Sequence, residues 1–156
     1  MTSKTLILLA GVACALTGTA EIGKAAEWTV AKSFTGKDGK TLLYRWGEPA
    51  SIEQGKKYPL VVLFHGAGER GSNNLAQLQW GAEPILAYMR EHKIAGYFIA
   101  GQVPAGKLWV ETPWGAAAHR MPKKPSESMA LVFELIDQTT KTLPVDMSRI
   151  YVTGVS

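Results

Sequence analysis

Apolar and polar residues alternate along Trp28–Phe34 (WTVAKSF), the pattern of a strand with one buried face. Gly36-Lys37-Asp38-Gly39 reads as a turn, and Lys40–Trp46 (KTLLYRW) as a second strand, so the two are expected to form an antiparallel hairpin. The pattern changes at Tyr58. Tyr58–Phe64 (YPLVVLF) is a continuous apolar run, which belongs to a strand covered on both faces. After a glycine-rich turn, His65–Asn74, either Asn73 or Asn74 can cap a short helix, and Pro84–His92 predicts a better one. Tyr97–Ala100 (YFIA) is a further short strand. The stretch from Gln102 to Pro125 is irregular, with prolines at 104, 113, 122 and 125, and loops of that length in compact domains are usually functional or disordered. Ser126 caps the clearest helix, which runs to about Thr142 with Met129, Val132, Phe133, Ile136 and Thr140 on one face. Glu127 and Lys141 suit its dipole, and Leu143-Pro144 ends it. Arg149–Thr153 (RIYVT) is a last buried strand. A hairpin followed by alternating strands and helices predicts an α/β fold, with an antiparallel hairpin leading into a mostly parallel sheet with flanking helices.

The first 25 residues read as an address. Lys4 precedes an uncharged apolar run, Thr5–Leu16, and small residues follow, which is the layout of a secretory signal. The run falls short of the roughly 20 residues that a membrane-spanning helix needs, so stable insertion in a membrane is not expected. Cleavage fits after Ala20, with Gly18 and Ala20 at the two small positions, or after Ala25, with Gly23 and Ala25. Residues 26–156 would then form the exported domain, secreted or periplasmic. The alternative is a lipoprotein anchored through Cys14, although Gly11 stands where a large aliphatic residue is usual.

Composition narrows the function. With 46% hydrophobic and 19% charged residues the chain is of globular type, which excludes disorder or coiled coil throughout. A single cysteine excludes an internal disulfide and any site built on several thiolates, and the three histidines show no metal-ligand spacing. No metal and no cofactor are expected. The net charge of +4 comes from scattered basic residues without a readable module, so nucleic acid is not an expected partner.

Two loops carry chemistry. Leu63–Gly71 (LFHGAGERG) directly follows a buried strand, and glycines at 66, 68 and 71 allow tight turns and leave amide N–H groups uncovered. Such groups at the end of a sheet strand bind an anion or a developing oxyanion. Glu69 and Arg70 are expected to pin the loop as an ion pair. The second is Gly154-Val155-Ser156, after the last strand. A serine on a sharp turn after a strand, between small neighbours, is a nucleophile elbow.

With both loops at these positions the sequence resembles the α/β-hydrolase superfamily. The matching residues are His65-Gly66-Ala67-Gly68 and Arg149 to Ser156, with Asp146-Met147-Ser148 leading in. It is most similar to secreted esterases of the feruloyl-esterase, polyhydroxybutyrate-depolymerase and phospholipase/carboxylesterase type. The resemblance covers about residues 28–156 and only the N-terminal half of such a fold, ending at the nucleophile. It implies that Ser156 is the nucleophile, that the Ala67 backbone N–H is an oxyanion donor, and that His65, Gly66 and Gly68 shape the loop. His65 would not be the triad base, because it precedes the serine. The acid and the histidine base would lie beyond residue 156, so that the chain reads as a truncated reading frame. Trp109 and Trp114 either line a substrate pocket or pack over a sheet edge. The implied function is a serine ester hydrolase acting through an acyl-enzyme on a small-molecule or polymer-linked ester. A serine peptidase of the same superfamily and a non-catalytic α/β binding protein are the alternatives.

Overall fold

The structure is a computed structural model that describes residues 22–112 and 115–155. The signal-type run, Trp114 and Ser156 lie outside the described residues. Five strands form one mixed sheet: β1 (Val30–Thr35), β2 (Thr41–Gly47), β3 (Tyr58–Phe64), β4 (Tyr97–Gln102) and β5 (Val145–Gly154), in the order β1-β2-β4-β3-β5. The expected hairpin is present, with Val30 opposite Trp46 and Thr35 opposite Thr41. β2 also runs antiparallel to β4, whereas β3 runs parallel to both β4 and β5. The parallel part is therefore β4-β3-β5, and all three of these strands end on the same side of the molecule.

The continuous apolar runs are explained by two covered faces. Leu60 and Val62 of β3, and Tyr97 and Ile99 of β4, face helix α3 (Glu127–Thr142) in one core. The intervening Leu63, Phe98 and Ala100 face helix α2 (Ala82–Glu91) in a second core. Neighbouring residues on a strand point to opposite faces, so a strand between two helical layers needs an apolar residue at nearly every position. Gly81 starts α2 in the left-handed region (φ 82°), which admits the helix two residues earlier than Pro84 suggests.

Two readings of the pattern are corrected. Residues 22–27 are helical (α1), and β1 begins at Val30 rather than Trp28. On α3 the buried residues are Ser128, Leu131, Val132, Leu135 and Thr139, whereas Phe133 is 55% exposed. The helix is apolar around much of its circumference between Met129 and Ile136, so spacing alone offers two overlapping stripes. The sheet selects the one that carries both leucines. The cap is as expected: the Ser126 hydroxyl accepts the Met129 N–H at 3.1 Å.

β5 is anchored at its start by a local charge cluster. Asp146 accepts the Ser148 hydroxyl (2.6 Å) and N–H (3.0 Å) and the Arg149 Nε–H (2.7 Å), while Arg149 also donates to the Lys57 carbonyl at 2.9 Å. The Ser148 hydroxyl foremost, then Arg149, hold the Asp146 carboxyl down to about 2. A third reading is corrected here: β5 starts at Val145 and is not buried, because among the described residues it pairs with β3 alone, and Tyr151 and Val152 are 54% and 64% exposed. No helix of the described residues is long and apolar enough to cross a membrane.

Candidate active site

The ends of β3, β4 and β5 release three segments that meet. The β3 segment is His65 to Gly71, in which Ala67–Glu69 forms a 3-10 turn. The β4 segment runs from Val103 through Val110. The β5 segment is Gly154-Val155. Together His65, Gly66, Ala67, Arg70, Val103, Leu108, Trp109, Val110 and Val155 line a pocket of about 280 Å³. A crevice beyond the carboxyl ends of parallel strands is where open α/β sheets place ligands.

His65 ties the first two segments together. It is 3% exposed. The Val103 main-chain N–H donates to its Nε2 at 3.0 Å, and its Nδ1 lies 2.6 Å from the Gly66 carbonyl. A main-chain N–H can only donate, so Nε2 carries no proton and Nδ1 donates to Gly66. Burial lowers the imidazole pKa below its ordinary value, against smaller upward pulls from the Gly66 carbonyl and Glu69. Both ring nitrogens are committed to main-chain partners. His92 sits elsewhere, at the end of α2, stacked on Tyr88 at 4.0 Å. It precedes the start of β4, so it lies at the opposite end of the sheet.

The glycine loop is held more tightly than its composition suggests. The Gly71 N–H is not uncovered, because it donates to the Val103 carbonyl at 2.9 Å. Val103, fully buried, is thus bonded to the loop through both its N–H and its carbonyl. The expected Glu69–Arg70 ion pair is not among the ion pairs of the described residues. Arg70 instead donates to the Ala67 carbonyl (2.8 Å) and the Lys107 carbonyl (3.2 Å), which joins the two loops through their backbones. Beneath them, Gln102 is buried, donates to the Glu69 carbonyl (3.0 Å) and Asn73 Oδ1 (2.9 Å), and accepts the Asn74 N–H (2.7 Å). Asn73 Oδ1 also caps the turn at Ala76–Leu78 by accepting the Leu75 and Ala76 N–H groups, both at 3.0 Å. Sequence reasoning missed Gln102 and Val103, since a polar residue at a strand end carries no signal until its partners are known.

Trp109 both lines the pocket and packs. Its ring stands edge-on to Phe64 with centroids 4.8 Å apart, and its Nε1–H donates to the His65 carbonyl at 3.0 Å. Its own carbonyl accepts the Ser126 hydroxyl at 2.7 Å, so the cap of α3 also fixes this loop.

The third segment closes against β3. Gly154 lies opposite Phe64, and a Cβ there would meet the Phe64 carbonyl oxygen at 3.3 Å. The Val155 N–H donates to that same oxygen at 3.0 Å. The chain therefore leaves β5 along the wall of the pocket at Val155, the residue before Ser156. As the first residue of its 3-10 turn, Ala67 has an N–H with no acceptor inside the turn. Ala67 is among the residues that line the pocket, whose walls are otherwise mainly valine, leucine and indole.

No family model and no curated protein matches the chain. Solved structures do. A thermostable esterase superposes with a TM-score of 0.71 at 28% identity, over 85% of this chain and 36% of its own. Esterase Est22 superposes with a TM-score of 0.51 at 16% identity, over 94% of this chain and 41% of its own. The CE1 ferulic acid esterase of the anaerobic fungus Anaeromyces mucronatus gives a TM-score of 0.51 at 15% identity, over 84% and 51%. The chain spans between about a third and a half of these proteins. The last two likenesses, at such low identity, bear on the fold alone. The strand order, the two-sided core and these superpositions agree: over the part of it that the chain spans, this is an α/β-hydrolase fold.

Proposed function

We propose that this chain supplies the nucleophile and the oxyanion loop of an exported serine ester hydrolase. Ser156 attacks the ester carbonyl, and the Ala67 N–H stabilises the negative charge that develops on its oxygen. A serine hydroxyl is a weak nucleophile until a base takes its proton. His65 cannot take that role without giving up its bond to Val103, and His92 is at the wrong end of the sheet. In the order that the resemblance implies, serine, then acid, then histidine, the base and its carboxylate partner come after Ser156. The substrate is a small-molecule or polymer-linked ester, whose apolar part would rest against Val103, Leu108, Val110, Val155 and Trp109. Export through the N-terminal leader belongs to the same proposal.

One observation carries the reading: Ala67 and Val155, the residue before Ser156, line one pocket at the carboxyl end of the parallel strands. The test is turnover of p-nitrophenyl acetate by the complete gene product, with a fluorophosphonate probe to mark the nucleophile. The probe should modify Ser156, and Ser156→Ala should lower kcat by at least about 10³-fold. Residues 1–156 alone should show no turnover above background. A probe adduct on another serine, or full activity in Ser156→Ala, would overturn the assignment.

A further inference from the structure

The leader offers two positions for cleavage, after Ala20 and after Ala25, and the sequence does not choose between them. The fold does, through residues on the near side of the second position. Residues 22–27 form α1, and Ala25 is fully buried among Leu63, Leu78, Ala82, Leu86, Phe98 and Ala100. The Ala25 carbonyl accepts the buried Thr29 hydroxyl at 2.6 Å, and the Lys24 carbonyl accepts the Trp28 N–H at 3.2 Å. The small side chain after which a peptidase would cut is thus a packed part of the core.

Arg45 adds an electrostatic reason. It lies in the middle of β2, is 8% exposed, and pairs with no carboxylate among the described residues. Its guanidinium donates instead to the Ala26 carbonyl (2.6 Å), the Thr29 carbonyl (2.6 Å) and the Thr29 hydroxyl (3.1 Å). Carbonyls at the end of a helix carry partial negative charge and are a suitable counterpart for a buried cation. A cut after Ala25 would remove the helix behind those carbonyls. It would also place a new α-ammonium on Ala26, the residue whose carbonyl holds Arg45. Two cations would then share one partly buried place, while the apolar seat of Ala25 stood empty. A cut after Ala20 leaves every one of these contacts intact.

We infer that processing occurs after Ala20, and that α1 is kept in the mature protein as the counterpart of Arg45. The inference rests on the proposed export, and the test separates the two. The complete gene product is expressed with its own leader in a bacterial host, recovered from the periplasm and medium, and analysed by intact mass and N-terminal sequencing. A chain starting at Glu21 is the expected result. A chain starting at Ala26 would overturn the inference while leaving export standing. An intact Met1 in the cytoplasm would overturn both, and a lipid on Cys14 would overturn the inference while replacing a soluble exported protein by an anchored one.

A second measurement reads the role of α1 directly. The mature protein starting at Ala26 should melt about 2–4 °C or more below the one starting at Glu21, the shift that a modest loss of stability makes in a protein larger than a small domain. Arg45→Ala should lower Tm in the protein starting at Glu21 and have a smaller effect in the one starting at Ala26, because the partner carbonyls have already been disturbed. Equal melting temperatures for the two starts, or additive effects of Arg45→Ala, would overturn the coupling.

Discussion

Val103 donates its main-chain N–H to His65 Nε2 at 3.0 Å, and this bond sets the tautomer of the histidine and is one of several that join the loops following β3 and β4. The imidazolium would have to present an N–H to an N–H. A proton on Nε2 therefore breaks the contact.

The pH dependence follows from that. Burial lowers the His65 pKa in the folded state, so the unfolded chain binds the proton more readily between the folded value and about 6.5. Stability should be full above pH 6.5 and fall as the pH drops from there towards the folded value. The neighbouring charges, Glu69 and Arg70, pull in opposite directions, upward and downward. Asp146 does not interfere, since its own loss of stability lies below its ordinary 3.8. Thermal melts from pH 8 to 5 should show the decline in the wild type and a flatter profile in His65→Gln. An unchanged profile in the variant would dissociate the decline from His65.

Trp109 should act by positioning the loop. Trp109→Phe keeps the edge-on contact with Phe64 and loses the donor to the His65 carbonyl, at a cost of about 1 kcal/mol. Trp109→Ala also leaves a hole, and about 3–5 kcal/mol is the usual loss for such a truncation, an upper bound for a half-buried ring. Urea denaturation of the two variants checks the order. A larger loss in Trp109→Phe than in Trp109→Ala would contradict it.

Two glycines should respond in opposite ways. A Cβ at Gly96 would lie 2.8 Å from Met89 Cε and 3.2 Å from the Pro59 carbonyl oxygen, and the backbone atom cannot give way cheaply. Gly96→Ala should cost about 1–3 kcal/mol. At Gly68 nothing lies within 4 Å, so Gly68→Ala should be within about 0.5 kcal/mol of the wild type. Denaturation midpoints decide, and a destabilised Gly68→Ala would show that its freedom of backbone matters after all.

β5 should make the 156-residue polypeptide prone to self-association. It pairs on one side only among the described residues and exposes Tyr151 and Val152, a combination that invites pairing with another edge. Analytical ultracentrifugation should find oligomers or aggregate, and Val152→Lys should raise the monomer fraction. A monodisperse wild-type monomer would refute the expectation.

The sequence by itself determined the elements whose signals are local. The alternation in β1 and β2, the unbroken run of β3, the Ser126 cap and the two glycine-bearing loops each depend on residues a few positions apart, so periodicity and turn chemistry suffice. Their order along the chain was enough to place both loops after sheet strands. Tertiary structure alone decided how those loops are held. Arg70 finds a carbonyl 37 residues away, His65 an amide 38 away, and the Trp109 indole a carbonyl 44 away. No local pattern encodes such partners, because they become neighbours only when β3 and β4 pair. The same holds for α1, where a run of small residues that suits a cleavage zone also suits a helix packed tightly against a sheet. Small side chains satisfy both requirements, and the burial of Ala25 and the bond from Arg45 to the Ala26 carbonyl appear only in the fold.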